Sequence, residues 1–251
     1  MINRLKSKIA LITGATSGIG LACAKFLASY GVNLIVVGRD EKKLRNLIDE
    51  LNNHEISIEC ICVDVRDRNS VKEKLSDLNV DILINNAGLA LGLEPFYEGD
   101  IDQWEEMIDA NVKGLLYVSR AIVPNMKKRA TGHIINIGSI AGEMAYPGGN
   151  VYCATKSAVH SLSASMNIDL QGTGVRVSNV APGAVETNFS NTRFDGDTQK
   201  AEGVYKGYEP LNANDIAELV IYILNAPEHV NIQDTLIMPT AQRNPYVLSR
   251  G

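Results

Sequence analysis

Short runs of Ile, Val and Leu alternate with amphipathic stretches from residue 9 to residue 238, and this rhythm restricts the fold more than any other property of the chain. The apolar runs fall at 9–13, 34–38, 57–63, 82–85, 133–138, 176–181 and 235–238. Several are almost continuously aliphatic, as strands covered on both faces require. Helical patterns fill the intervals, at about 18–30, 41–52, 69–77, 102–128, 151–171 and 214–225. Such repetition predicts a parallel sheet between two helical layers; right-handed crossovers make it an α/β, doubly wound sheet of the Rossmann type. With no internal repeat and no Pro/Gly-rich linker, residues 1–251 are expected to form a single domain. One stretch, about 183–212, shows no regular pattern. It follows the sixth strand, on the side where open α/β sheets bind ligands, and is expected to form a substrate loop or lid.

Composition removes several classes of function. A formal net charge of −5 with no basic run leaves no electrostatic footprint for nucleic acid. Arg4, Lys6 and Lys8 precede the apolar stretch at Ile9 in the manner of a secretory signal, but Thr13-Gly14-Ala15-Thr16-Ser17-Gly18 interrupts it at once. No run nears the roughly 18 apolar residues of a membrane span. A cytoplasmic protein with no membrane partner is the expectation. Cys23, Cys60, Cys62 and Cys153 form no C-x-x-C pair, and no His stands at zinc-ligand spacing, so no metal is expected. Buried free thiols are the plain reading of all four.

The first strand runs into Thr13-Gly14-Ala15-Thr16-Ser17-Gly18-Ile19-Gly20 and then a helix. Glycines let a backbone turn tightly against a pyrophosphate, which the helix N-terminus then stabilises. The G-x-x-x-G-x-G spacing is not a P-loop, since Ile19-Gly20 stand where Gly-Lys belongs. At the end of the second strand an NAD site usually carries an acid for the ribose 2′-hydroxyl. Here Gly38 occupies that place and Arg39 follows; a guanidinium pairs with a 2′-phosphate, so NADP is the expected cofactor. Asp40 runs against this, although its position suits an N-cap for the helix beginning near Glu41. Asp64-Val65 and Asn85-Asn86-Ala87-Gly88 close the next two strands and suit the floor of a nucleotide cleft, or equally plain turns.

Tyr152 and Lys156 lie four apart, one turn from each other on one helix face. Free tyrosine, with a pKa near 10, is a poor base at neutral pH, and a nearby ammonium is expected to lower that value. Ser139 follows the fifth strand, where its hydroxyl can hold a substrate oxygen beside the phenol. Hydrolysis is disfavoured: Ile137-Gly138-Ser139-Ile140-Ala141-Gly142 lacks the first glycine of a nucleophile elbow, and none of the four histidines has triad context.

Taken together, Thr13 to Gly20, Asp64, Asn85 to Gly88, Asn111, Ser139, Tyr152-x-x-x-Lys156 and Pro182-Gly183-Ala184-Val185-Glu186-Thr187 resemble a short-chain dehydrogenase/reductase over nearly the whole chain. The resemblance implies that Tyr152 exchanges the proton and that Lys156 lowers its pKa and holds the nicotinamide ribose. It further implies that Ser139 orients the substrate oxygen and that Asn111 positions a water leading to Lys156. The cofactor contacts it implies are Gly14, Thr16, Ser17, Gly18, Ile19, Gly20, Arg39, Asp64, Val65, Asn86, Ala87, Gly88, Tyr152, Lys156, Pro182, Gly183, Val185 and Thr187. A homotetramer is implied on the same ground.

Ala87-Gly88-Leu89-Ala90-Leu91-Gly92, Gly148-Gly149-Asn150-Val151-Tyr152 and Arg193-Phe194-Asp195-Gly196-Asp197 resemble, within that family, the NADP-dependent 3-hydroxy acid dehydrogenases, also described as serine 3-dehydrogenases or L-allo-threonine dehydrogenases. Ser139, Tyr146 and Arg193 are the candidate substrate residues, Arg193 for a carboxylate. Arg193 pairing with Asp195 or Asp197 to order the lid is the alternative. The competing functions are a 3-oxoacyl or general carbonyl reductase of the same family and a non-catalytic NADP-binding sensor.

Overall fold

Nine strands appear in the computed structural model, which describes residues 2–251. They are β1 (Ile9–Thr13), β2 (Asn33–Gly38), β3 (Ile58–Cys62), β4 (Ile82–Asn85), β5 (Gly132–Ile137), β6 (Val175–Pro182), β7 (Val185–Glu186), β8 (Leu211–Asn212) and β9 (Asp234–Ile237). Seven form one all-parallel sheet in the order β3-β2-β1-β4-β5-β6-β9, while β7 and β8 pair apart from it. Chain order reverses between β1 and β4, which opens a crevice above their carboxyl ends.

The helices are α1 (Gly18–Ser29), α2 (Glu41–Leu51), α3 (Arg68–Leu75), α4 (Ile101–Ile108), α5 (Leu115–Arg129), α6 (Asn150–Asp169), α7 (Phe189–Arg193), α8 (Thr198–Tyr205) and α9 (Ala213–Leu224). Strand side chains alternate between two cores. Ala10 and Ile12 of β1 pack with Leu27, Leu44 and Val220 from α1, α2 and α9, while Leu11 packs with Val71 and Ile122 from α3 and α5. Cover on both faces is why the inner strands read as unbroken aliphatic runs.

Three expectations are corrected. The pattern at 102–128 is two helices, α4 and α5, joined by a π turn at Asp109–Gly114. Apolar periodicity is blind to one extra residue per turn. The segment at 183–212 is not irregular: it carries β7, α7, α8 and β8, elements too short to impose a period. Cys62 is exposed and Cys60 partly so, because β3 lies at the edge of the sheet; Cys23 and Cys153 are buried.

Candidate active site

The glycine turn after β1 is locked from the far side of the crevice. Gly14 has φ +64°, and a Cβ there would lie 2.9 Å from Asn86 Nδ2 and 3.1 Å from Ala87 Cα. A Cβ on Gly20 would overlap the Gly14 carbonyl oxygen and the Asn86 amide nitrogen. Asn86 is the staple: its Nδ2 donates to the carbonyls of Thr13 at 2.9 Å and Gly14 at 3.1 Å. The Thr13 hydroxyl in turn accepts from the backbone N–H groups of Asn86 and Ala87, both at 3.0 Å. The Ser17 side chain does not cap α1, so the first-turn N–H groups of that helix can serve an anion.

At the ends of β2 and β3 the charges are mixed. Asp40 is the N-cap of α2, accepting from Lys43 N at 3.1 Å, which ties its carboxylate to the helix. Arg39 is exposed, with Nη1 3.8 Å from Asp64 Oδ2. Asp64 is gripped more closely by Arg66, whose Nη2 donates to Oδ2 at 2.7 Å. Burial alone would push the Asp64 carboxyl up, but hydrogen bonds from the Arg66 side chain and backbone, with the charges of Arg66 and Arg39, hold it below the usual carboxylate range. Arg66 went unnoticed in the sequence because Asp64-Val65-Arg66-Asp67 reads there as a turn before a helix.

These groups face a cleft of about 330 Å³, within the range of small-molecule sites. Every candidate cofactor residue except Gly20 lines it, from Gly14 at the first turn to Thr187 beyond β6, and so does Ser139. Asn111, Tyr146 and Arg193 do not, whereas Arg66, Phe189 and Thr192 do. Phe189 and Thr192 carried no signal in the sequence, for α7 is barely more than one turn.

Tyr152 and Lys156 are both buried on α6. Their side chains do not pair as the four-residue spacing suggests. Lys156 Nζ donates to the Ile137 carbonyl at 2.8 Å, at the end of β5, and burial lowers its pKa to about 8. Burial pushes the Tyr152 phenol up, as does the nearby Tyr146; a hydrogen bond with Ser139 and the charge of Arg193 oppose that rise. In this structure β5 offers the ammonium a carbonyl, and Arg193 is a cation that acts on the phenol. Ser139 Oγ also accepts from Ala141 N at 3.1 Å, which fixes the turn after β5. Asn111 sits in the π turn, where Nδ2 donates to Leu89 O at 2.8 Å and Thr155 Oγ1 at 3.0 Å, and Oδ1 accepts from Leu89 N at 2.8 Å. It thus ties the loop after β4 to α6.

Arg193 closes the other side. Nη1 donates to the Tyr146 hydroxyl at 2.8 Å and Nε to the Gly92 carbonyl at 3.1 Å. Its guanidinium carbon lies 5.6 Å from the Tyr146 ring centroid and 5.7 Å from that of Tyr152. It does not pair with the nearby acids: Asp197 caps α8 and meets Lys200, and among the described residues no carboxylate lies within 4 Å of Arg193. The Tyr146 phenol is pushed up by burial and drawn back by Arg193. Tyr205 of α8 donates to the Val185 carbonyl at 2.9 Å and shares a 2.7 Å hydrogen bond with Ser190, tying α8 to the strand beside the cleft.

A family model described as short chain dehydrogenase matches residues 8–198. An NADP-dependent 3-hydroxy acid dehydrogenase of Escherichia coli is 45% identical over 240 residues, covering 93% of this chain and 96% of the relative. Sulfoacetaldehyde reductase 2 of Chromohalobacter salexigens is 43% identical over 242 residues, 94% and 96% of the two chains. The solved closed form of a serine dehydrogenase complexed with NADP+ superimposes with a TM-score of 0.91 at 43% identity, covering 97% of this chain and 99% of that one.

Proposed function

The chain belongs to the short-chain dehydrogenase family, and on that premise we propose that it moves a hydride between NADP(H) and a small 3-hydroxy acid such as serine, L-allo-threonine or 3-hydroxyisobutyrate. The observation that carries the substrate class is Arg193, a cation with no carboxylate partner, held over the ring of the proton-transfer residue. A substrate carboxylate would bind at Arg193 and the Tyr146 hydroxyl, which stand behind the cleft lining with the guanidinium carbon 5.7 Å from the Tyr152 ring centroid. Fit to the cofactor rests on the cradle at Gly14 and Gly20, which any side chain would fill, on the uncapped start of α1, and on Arg39 at the end of β2.

When bound, NADP(H) supplies or accepts the hydride. Tyr152 donates its proton to the carbonyl oxygen in reduction and receives it from the alcohol in oxidation. The phenol is protonated at neutral pH and so can donate, while its burial, which raises the pKa, makes it a weaker acid. Ser139 would share that oxygen and fix its direction; Lys156 would hold a ribose hydroxyl from the floor of the cleft, and Asn111 sets the distance between α6 and the loop after β4. Val185 and Thr187, which line the cleft, would flank the nicotinamide. A second reading changes only the anion, since the same guanidinium and phenol suit the sulfonate of sulfoacetaldehyde, on which one relative acts.

A cytoplasmic homotetramer completes the proposal. All four cysteines are free, as fits a reducing compartment, and among the described residues no helix is long and apolar enough to cross a membrane. Ile101, Ile108 and Leu116 are exposed along α4 and α5, an apolar face that a second copy can cover.

Absorbance of NADPH, followed with hydroxy acids, sulfoacetaldehyde and uncharged alcohols, tests the reading. Turnover is expected on the anionic substrates with NADP(H), and Tyr152→Phe should lose about a hundredfold to ten-thousandfold in kcat while still binding NADPH. A Phe variant with nearly full activity would give the proton to another group. NADPH binding without turnover on any substrate would favour the sensor.

A further inference from the structure

Four charges alternate in a row beside the adenosine end of the cleft: Glu106, Arg66, Asp64 and Arg39. Arg66 Nη1 donates to Glu106 Oε1 at 2.9 Å. On its other side, Arg66 Nε reaches Asp64 Oδ1 at 3.1 Å and Oδ2 at 3.0 Å, Nη2 reaches Oδ2 at 2.7 Å, and the Arg66 backbone N–H reaches Oδ1 at 3.0 Å. Arg39 stands outside hydrogen-bonding distance at 3.8 Å, with a side chain 58% exposed. Two guanidiniums compete for one carboxylate, and Arg66 holds it.

We infer that Arg66 sets the dinucleotide preference through Asp64: by occupying that carboxylate it leaves Arg39 free for the 2′-phosphate of NADP. The inference rests on the NADP reading above. Without Arg66, the nearest cation to a part-buried carboxylate becomes Arg39, and closing the gap takes only side-chain rotation. Arg39 is then engaged by Asp64 instead of a phosphate, and the site has lost the Arg66 cation, so its attraction for a phosphate dianion falls. Glu106 keeps Arg66 turned to Asp64, since a guanidinium held on both sides does not swing toward the ribose. Arg66 is therefore a positioning residue.

Calorimetry with adenosine 2′,5′-bisphosphate and 5′-AMP tests this without any substrate. The two probes differ by the 2′-phosphate alone, so the ratio of their affinities cancels any general loss of fit. Arg66→Met should lower that ratio about tenfold, and adding Asp64→Asn to the same chain should restore it, because Arg39 then has no competitor. Arg66→Lys, which keeps the charge but not the fork, should fall between and stands in for Arg66→Met if that variant does not fold. An unchanged ratio in Arg66→Met overturns the inference. So does a double variant that stays low, which would mean that Arg66 touches the phosphate itself. Equal binding of both probes by the unmodified protein would instead sink the NADP reading, and the inference with it.

Discussion

The two ends of the cleft are built by different kinds of contact. Around Gly14 and Gly20 main chain packs on main chain and on the Asn86 amide that staples it, with hardly room for a methyl group. Around Arg193 one long side chain does the joining, to the Tyr146 hydroxyl and the Gly92 carbonyl from 47 and 101 residues away. A backbone cradle tolerates one residue type and binds what every dinucleotide shares. A side-chain clamp can be exchanged residue by residue, so selectivity for substrate can change while the cradle stays. The family likeness spans both ends, yet relatives named for a hydroxy acid and for sulfoacetaldehyde are nearly equally identical to this chain.

Breaking the cradle should give the larger effect. Gly20→Ala forces a methyl group into the Gly14 carbonyl and the Asn86 amide, contacts that only a backbone shift relieves. Overpacking of this kind costs about 1–3 kcal/mol, and the shift moves the turn that meets the pyrophosphate. NADPH affinity, read by fluorescence titration, should fall at least about tenfold, with a lower melting temperature. Unaltered affinity would mean that the turn is not the binding element.

Acid offers a gentler way to ask whether the two ends stand on one core. His133 of β5 is buried, with Nε2 2.9 Å from Ser178 Oγ, and burial, then the charges of Arg176 and Lys8, lower its pKa to about 3. Between about 6.5 and 3 the unfolded chain binds a proton there that the folded chain refuses. Stability is therefore full above about pH 6.5 and falls as pH drops toward 3, by at most about 1.4 kcal/mol per pH unit from this group. Urea unfolding at pH 7 and pH 5 should show the loss, and His133→Leu should flatten it. If NADPH binding and turnover fade at different urea concentrations, the single-domain expectation fails.

What could be read from the sequence divides along the same line. The parallel, doubly wound sheet follows from aliphatic runs and right-handed crossovers, and the Gly14 to Gly20 spacing declares its turn because backbone constraints are local. Asp40 announced its cap for the same reason. Side-chain choices across the fold left no such trace: nothing in a four-residue spacing says that Lys156 will take the Ile137 carbonyl, or that Arg66 will take Asp64 ahead of Arg39. The Asp197 cap on Lys200 N was a local signal for α8, lost among the glycines and acids around it.

The measurement that most directly tests this account is the kcat/KM of Arg193→Met on a 3-hydroxy acid and on an uncharged secondary alcohol, with NADPH affinity measured beside it. A charge-assisted clamp on a carboxylate predicts a loss of about tenfold to a hundredfold for the acid, little change for the alcohol, and intact cofactor binding. An equal loss on both substrates would contradict it and leave Arg193 as a brace for Tyr146 and the loop at Gly92.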